Sequence, residues 1–293
     1  MAKNGEKRRF GDRKDAKLIR DLDSMHFIMP NIYPNRCDNE AIISECIDLT
    51  NLQAFLDKKN ADNPAYPYKL FQVIVTAVLK TVMLRPKMNR FVANGNYYQR
   101  NDVSAAFIIK KEFSDKAEES EAFIHAKPAD TIDTVHDEIY RQVSFVRKGE
   151  QKGSTDKAMD MFNKMPRFLS KSIIKFICVL DRHGKVPASM IASDPFYASF
   201  VLSNLGSIKL HAGYHHLTNW GTTSLFVVIG ERKKRPFYED DGSFTMRDSI
   251  DLGITVDERI ADGYYFSKTI RLVKKLLENP ELLEKPLAEE IEY

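Results

Sequence analysis

Apolar and polar positions alternate along the chain with two periods, and the change between them separates predicted strands from predicted helices. Residues 40–49, with the sequence EAIISECIDL, favour a strand. Residues 50–60 favour a helix, in which Thr50 and Gln53 have the spacing of a capping box. Residues 68–84 are apolar almost all round, so we expect a helix that lies buried at the centre of the domain.

A strand and further helices are predicted for the middle of the chain. Residues 103–111 favour the strand. We expect Asp130 to cap the next helix, whose apolar face is formed by Ile132, Val135, Ile139, Val143 and Val146. A further helical region is predicted from about residue 157 to residue 181, with an interruption at Pro166.

Strands dominate the last third of the chain, and they are predicted at residues 196–204, 211–219, 224–231 and 249–257. A final helix is expected to begin at Asp262. Helices are predicted mainly in the first two-thirds of the chain and strands in the last third. This arrangement predicts an α+β fold, in which helices cover a mostly antiparallel or mixed sheet. No internal segment is rich enough in Pro, Gly or Ser to divide the chain. We therefore predict a flexible basic extension over residues 1–24 and one domain over residues 25–293.

Composition narrows the classes of partner. The formal net charge of +3 on 293 residues gives no argument for nucleic acid. No apolar run approaches the roughly 18 residues that a membrane helix needs, and the N-terminus lacks the apolar core of a signal peptide. No membrane partner is therefore expected. Three cysteines without paired spacing predict reduced thiols in a cytoplasmic protein, and the scattered histidines predict no metal site.

The densest charged corner of the sequence comes directly after the last predicted strand, at Asp257, Glu258, Arg259 and Asp262. Asp262 is well placed to cap the final helix, because a carboxylate there accepts backbone N–H bonds and meets the positive end of the helix dipole. Glu258 is either solvated in a loop or held in a cleft. The pattern leaves both readings open.

Three further positions each have a structural and a chemical interpretation. Ser203 ends an apolar strand before a turn, where its hydroxyl either forms that turn or donates a hydrogen bond to an oxyanion. His215 and His216 are adjacent, so in a strand they would face opposite sides of the sheet. The basic residues 230–236 form either a solvated hairpin or a contact for phosphates such as those of a nucleotide-tailed cofactor.

Taken together, SNLG at residues 203–206, the hairpin after it and VDERIADG at residues 256–263 resemble a known family. This family comprises the acyltransferase catalytic domains of 2-oxo-acid dehydrogenase complexes, whose fold chloramphenicol acetyltransferase shares. Residues 47–60 and 85–111 are similar to the family as well. The resemblance therefore covers about residues 25–285, and only the short extension is expected upstream, without the lipoyl module that usually precedes the domain.

The resemblance implies a chloramphenicol acetyltransferase-like mixed β-sheet flanked by helices. It also implies a homotrimer with active sites at the subunit interfaces, where coenzyme A meets a small-molecule acyl acceptor. Ser203 falls on the family's oxyanion serine, which the neighbouring chain supplies. Asp262 falls on the aspartate that acts through an arginine, for which Arg36 is the candidate. Glu258 falls on the family's catalytic histidine.

This exchange leaves two functions open. An ordinary glutamate has a pKa of about 4.3, against about 6.5 for histidine, so its driving force for taking a proton is about 3 kcal/mol smaller. Burial could recover much of that difference, whereas pairing with Arg259 would reduce basicity. The chain is then a coenzyme A-dependent acyltransferase with Glu258 as its base, or an inactive homologue that acts as an oligomeric scaffold or ligand-binding protein. A third, weaker hypothesis makes the basic extension a docking tail for an acidic partner.

Overall fold

The computed structural model describes residues 9–110, 119–147 and 164–293, whose strands form a large mixed sheet and a small antiparallel one. The strands are β1 (Ala16–Leu18), β2 (Glu40–Asp48), β3 (Arg90–Ala93), β4 (Asn96–Arg100), β5 (Val103–Lys110), β6 (Glu119–Ala126), β7 (Phe200–Asn204), β8 (Leu225–Ile229), β9 (Lys233–Tyr238) and β10 (Phe244–Asp257). The helices are α1 (Ser24–Ile32), α2 (Thr50–Lys59), α3 (Leu70–Leu84), α4 (Ile132–Arg147), α5 (Arg167–Arg182), α6 (Ala188–Ser193) and α7 (Gly263–Glu278).

The large sheet has the strand order β2-β10-β8-β7-β5-β6, and β9 extends it by pairing with the first half of β10. The central strands β5, β7 and β8 run parallel to one another, and the other pairs are antiparallel. The small sheet has the order β1-β4-β3. A mixed sheet with helices packed on it confirms the α+β fold predicted from the sequence.

One face of the large sheet forms the main core, because alternate residues of each strand point to the same side. Leu202, Val227 and Ile254, from three neighbouring strands, are buried there against α3 and α7. The helix α3 occupies the centre, as its apolar sequence predicts, and even Lys80 is fully buried, with its ammonium donating to the Pro286 carbonyl oxygen at 2.6 Å. Burial lowers the pKa of Lys80.

The opposite face of the sheet carries a smaller apolar cluster, which includes Val201, Phe226 and Val228. An irregular stretch of chain, residues 205–224, passes over this face, and we call it the crossing segment. The crossing segment lies so close to β10 that a Cβ atom at Gly253 would be 2.1 Å from the Gly213 carbonyl oxygen. The strand predicted at residues 211–219 is therefore wrong, because this backbone lies against the face of the sheet instead of joining its edge.

Two predicted helix caps are also wrong. Leu49 occupies the N-cap of α2, while the Thr50 hydroxyl donates to Asp48 at 2.6 Å and the Gln53 side chain bonds to Asp57. At α4 it is the Thr131 hydroxyl that accepts a backbone N–H, from Asp133. Local side-chain partners thus outcompeted the predicted ones. The predicted helical region at 157–181 falls partly outside the described residues, and its described part is α5, which begins directly after Pro166.

The predicted flexible extension, residues 1–24, is packed on the domain over part of its described length. Strand β1 pairs with β4, and Ala16 is fully buried. Arg13 is also buried, pairing with Asp15 at 2.9 Å and donating to the Asp181 carbonyl oxygen at 2.9 Å. The basic residue Arg13 is therefore part of the fold, where composition alone indicated a solvated tail.

The close approach at Gly253 makes a stability prediction. We expect Gly253→Ala to destabilise the fold by about 1–3 kcal/mol, because the new methyl group would overlap the Gly213 backbone. Urea denaturation measures the effect, and Gly263→Ala is the matched control because nothing lies within 4 Å of a Cβ atom there. Equal stability of the two variants would show that the crossing segment is not held against β10.

Candidate active site

The charged corner after β10 is built on a buried ion pair between Asp257 and Arg259. The guanidinium of Arg259 binds the carboxylate of Asp257 through two hydrogen bonds, each of 2.7 Å. The remaining nitrogen of Arg259 donates to the carbonyl oxygens of Tyr33 and Pro34, at 2.9 and 3.1 Å. The ion pair therefore fixes the turn after β10 and ties it to the end of α1.

Arg36 is the third charged group of this buried cluster. Its Nε lies 3.7 Å from the Asp257 carboxylate, and its other two nitrogens donate to the carbonyl oxygens of Thr218, Gly221 and Val92. Burial lowers the pKa of the Arg36 guanidinium, although Asp257 opposes this effect. Arg36 thus pairs with Asp257, and its predicted pairing with Asp262 is wrong.

Glu258 lies between these buried residues but is itself exposed. Its backbone N–H donates to the Asn39 carbonyl oxygen at 2.9 Å, and its carboxylate forms no hydrogen bond or ion pair with the described residues. Arg259, which could have bound Glu258, is engaged by Asp257 and by the carbonyl oxygens of Tyr33 and Pro34. In a single chain the carboxylate of Glu258 is therefore solvated, and all of its acceptor positions are open.

Asp262 caps α7, as the sequence predicts. Its carboxylate accepts the backbone N–H of Tyr265 at 2.8 Å, and the ammonium of Lys87 lies 3.9 Å away. The hydrogen bond from Tyr265 is the largest cause that holds the pKa of Asp262 below its usual value. Asp262 thus stabilises the helix that follows Glu258, and an arginine is not among its partners in the described residues.

Ser203 is the next-to-last residue of β7 and lies on the face of the sheet opposite the main core. Its neighbour Leu202 is buried in that core, whereas Ser203 is half-buried and its hydroxyl forms no hydrogen bond with the described residues. The turn is formed instead by Asn204, whose side chain accepts the Ser207 N–H at 3.2 Å. The hydroxyl of Ser203 is therefore available to a ligand.

Strand register separates Ser203 from Glu258 within one chain. Ser203 pairs with Val228 on β8, and Val228 pairs with Gly253 on β10. Glu258 lies five positions beyond Gly253, or roughly 17 Å along the strand, and two strand spacings add about 10 Å sideways. The two residues are thus about 20 Å apart, too far to hold one substrate together.

The two histidines of the crossing segment lie side by side. His215 stacks on Phe226 with 4.1 Å between ring centroids, and the ring of His216 lies 4.7 Å from that of His215. Phe226 is paired with Val201, two residues before Ser203. His215 therefore lies on the same face of the sheet as Ser203. The predicted opposite orientation of the histidines fails because this segment is not a strand.

A polar cleft of about 400 Å³ lies beside the buried ion pair. It separates α1 from the β3–β4 hairpin and the end of α5, and its polar lining comprises Asn31, Asn35, Arg36, Asn94, Asp181, Arg182, Asn219 and Arg259. Neither Ser203 nor Glu258 lines it. Sequence reasoning missed this cleft because its residues come from five distant segments and form no motif.

The basic residues 230–236 are mostly part of β9, where the sequence predicted a turn. Arg235 forms an ion pair with Asp251, and Arg232 forms one with Asp248 at 2.7 Å. Within the described ranges, no three His, Cys, Asp or Glu side chains come together as a metal site requires. No helix of the described chain is long and apolar enough to cross a membrane.

Comparison with known proteins connects this geometry to a family. Residues 189–284, which contain Ser203, the crossing segment and Glu258, match the family model described as 2-oxoacid dehydrogenases acyltransferase (catalytic domain). No curated protein sequence matches the chain. The chain has the acyltransferase-like fold.

Solved structures agree with that assignment. The chain is similar to a dihydrolipoamide acetyltransferase from Azotobacter vinelandii, at 14% identity and a TM-score of 0.59 over 91% of this chain and 94% of that one. It is similar to the cubic core of a pyruvate dehydrogenase multienzyme complex, at 13% identity and a TM-score of 0.59 with the same coverage. Chloramphenicol acetyltransferase matches at 12% identity and a TM-score of 0.52, over 89% of this chain and 99% of that one. Identities this low establish the acyltransferase-like fold alone, and the predicted fold is confirmed.

The buried ion pair makes a prediction about stability. We expect Asp257→Ala to destabilise the acyltransferase-like fold by about 3–5 kcal/mol, because it leaves Arg36 and Arg259 buried without their shared carboxylate. Glu258→Ala is the matched control and should lie within about 0.5 kcal/mol of the wild type, since its side chain is exposed. Urea unfolding compares the two, and equal effects would contradict the role assigned to Asp257.

The cap at Asp262 makes a separate prediction. Asp262→Ala should cost about 1 kcal/mol, and Asp262→Asn should recover most of that loss, because its amide oxygen can still accept the Tyr265 N–H. The pKa of Asp262 is lowered on folding, so its contribution is present above the unfolded pKa and is lost as pH falls through the folded pKa. Unfolding measured at neutral and acidic pH tests both points, and an Ala variant with wild-type stability would refute the cap.

Proposed function

We propose that the protein is an acyltransferase that moves an acyl group between coenzyme A and a small-molecule acceptor. The acyltransferase-like fold supports this, as does the family match across residues 189–284. In the Azotobacter vinelandii dihydrolipoamide acetyltransferase, a serine, a histidine and an asparagine have been investigated for their role in the catalytic mechanism. Ser203, Glu258 and Asp262 follow one another in the same order here.

The observation that carries the proposal further is the separation of Ser203 from Glu258 by about 20 Å. Each has a side chain without a partner in the described residues, yet one chain cannot bring both to the same substrate. We therefore propose that active sites form between neighbouring copies, with Glu258 from one chain and Ser203 from the next. A homotrimer satisfies this arrangement, because a cyclic assembly repeats one heterologous contact until it closes.

At such an interface Glu258 acts as a general base. Its carboxylate takes the proton from the acceptor's hydroxyl, thiol or amine as that atom attacks the thioester carbonyl carbon. The Ser203 hydroxyl of the other chain donates a hydrogen bond to the oxyanion that develops. When the carbon–sulfur bond breaks, the proton held by Glu258 passes to the coenzyme A sulfur, so the reaction returns the base to its starting state.

The buried ion pair helps Glu258 in this role. Because Arg259 is bound to Asp257, it does not pair with Glu258, and the carboxylate keeps its acceptor positions for the substrate. Burial by the neighbouring chain would strengthen Glu258 as a base, since a low-dielectric surrounding disfavours the charged carboxylate. The neighbouring chain therefore completes the site and also makes Glu258 a stronger base.

One observation favours an alternative function. Glu258 is exposed in the single chain, and without burial a glutamate is a weaker base than the histidine of the family. In this alternative the protein is an inactive homologue that keeps the assembly as a scaffold or a ligand-binding protein. Both readings are compatible with a cytoplasmic location, for which the free thiols of Cys37, Cys46 and Cys178 are a supporting observation.

Release of the coenzyme A thiol from acetyl-coenzyme A, with a panel of amine, hydroxyl and thiol acceptors, tests the proposal. We expect turnover by the wild type, a loss of roughly 10²–10⁴-fold in Glu258→Gln and a loss of roughly 10²–10³-fold in Ser203→Ala. Glu281→Gln, at another exposed position, is the control and should have wild-type activity. No turnover by the wild type, with activity appearing only in Glu258→His, would reject the proposed base and establish the inactive homologue.

A further inference from the structure

The helix α5 (Arg167–Arg182) leaves most of its apolar residues uncovered. Five large hydrophobic side chains are exposed, with relative exposures of 74% for Phe168, 42% for Leu169, 49% for Ile174, 63% for Phe176 and 49% for Val179. Asp181 is the one buried residue of this helix. An apolar surface of this kind on a single helix marks an interaction site.

Most of the exposed apolar residues and the exposed basic residues occupy separate arcs around the helix axis. At about 100° per residue, four of the five, Phe168, Val179, Phe176 and Leu169, share an arc of roughly 100°, and Ile174 lies outside it, beyond the far edge of the basic residues. The basic residues Arg167, Lys171, Lys175 and Arg182 share the adjoining arc of roughly 80°, and all four are exposed. Ile173, Ile177 and Asp181 lie on the remaining side, where both isoleucines are half-buried and Asp181 is buried. The apolar arc and the basic arc therefore both point outward, side by side.

The C-terminal end of α5 is firmly held. Asp181 accepts hydrogen bonds from the Tyr197 hydroxyl at 2.7 Å and from the Gly221 N–H at 3.1 Å. Its carbonyl oxygen accepts a bond from Arg13 at 2.9 Å. These contacts attach the last turn of α5 to the domain, and the helix extends from that turn over about 24 Å.

We propose that α5 docks the protein on an anionic lipid surface. A helix with aromatic and aliphatic residues on one face and lysines and arginines beside them lies in the plane of a bilayer interface. Phe168 and Phe176 would enter the boundary between headgroups and acyl chains, while the basic arc contacts anionic headgroups. The helix lies on the membrane without crossing it, so this proposal revises the expectation that the protein has no membrane partner.

Charge favours lipid over a second copy of the chain as the occupant. The outward arcs of α5 carry four basic residues and no acidic one, and none of the four forms an ion pair within the described residues. An isologous contact between two copies would bring the same basic arcs together, and like charges placed side by side oppose association. Binding to an anionic surface instead becomes roughly fivefold stronger for each basic residue that lies near that surface.

Flotation of the full-length protein with lipid vesicles tests the proposal. We expect binding to vesicles of phosphatidylcholine mixed with phosphatidylglycerol, and no binding to phosphatidylcholine alone. Phe168→Ser combined with Phe176→Ser should weaken binding at least tenfold, and so should Lys171→Glu combined with Lys175→Glu. Binding should also fall as salt rises.

Matched variants at other sites distinguish binding through α5 from binding through exposed aromatic or basic residues in general. Tyr238→Ser with Phe244→Ser removes two exposed aromatic rings from the β9–β10 hairpin, and Arg271→Glu with Lys275→Glu reverses two exposed charges on α7. Both should bind like the wild type. No vesicle binding by the wild type would overturn the proposal. A different pair of results would make this face a contact between copies. The wild type would not bind vesicles, and the Phe168→Ser, Phe176→Ser variant would have a smaller assembly mass than the wild type by sedimentation equilibrium.

Discussion

The ion pair between Asp257 and Arg259 is the constraint on which the candidate site depends. It buries a bidentate charge pair at the end of strand β10 and adds Arg36 as a third charge. A buried pair of this kind is costly to desolvate, and its value lies in fixing geometry more than in stability. Here it determines the direction of the turn, so that residue 258 points outward while the residues on both sides of it are buried.

The same sheet that positions Glu258 also prevents it from meeting Ser203 in one chain. Ser203 is near one end of β7 and Glu258 follows the opposite end of β10, with β8 between the two strands, and the register of β7, β8 and β10 keeps the residues apart. The crossing segment covers the face between them, with Gly213 pressed on Gly253 and His215 stacked on Phe226. In the proposed function, a site that uses both side chains therefore takes one from each of two copies.

Much of the fold could be predicted from sequence, because apolar periodicity is a local signal that the sheet and α3 preserve. The strand β2 and the buried helix α3 followed from that signal, and the cap at Asp262 followed from the preference for carboxylates at helix N-termini. The resemblance to an acyltransferase rested on short motifs around Ser203 and Glu258. The crossing segment was mistaken for a strand because its β-like composition reflects packing on a sheet face. The predicted caps of α2 and α4 were wrong because neighbouring side chains compete for the same hydrogen-bond partners.

The parts of the site that sequence could not predict depend on distant contacts. Nothing near Arg36 indicates that it pairs with Asp257, more than 200 positions away, or that Arg13 of the N-terminal stretch holds the end of α5. The polar cleft is likewise assembled from segments without a common motif. Such features arise from tertiary packing, and the exposed apolar arc of α5 can be recognised only once the structure shows that nothing among the described residues covers it.

Mixing two inactive chains tests the central claim, that one active site takes Glu258 from one copy and Ser203 from its neighbour. Chains with Glu258→Gln and chains with Ser203→Ala would be unfolded together, refolded at equal concentrations and assayed for release of the coenzyme A thiol. A shared site predicts recovery of about one quarter of the wild-type activity, since random assembly pairs an intact Glu258 with an intact Ser203 at one interface in four. Activity no higher than the mean of the two variants refolded alone would contradict a site shared between chains.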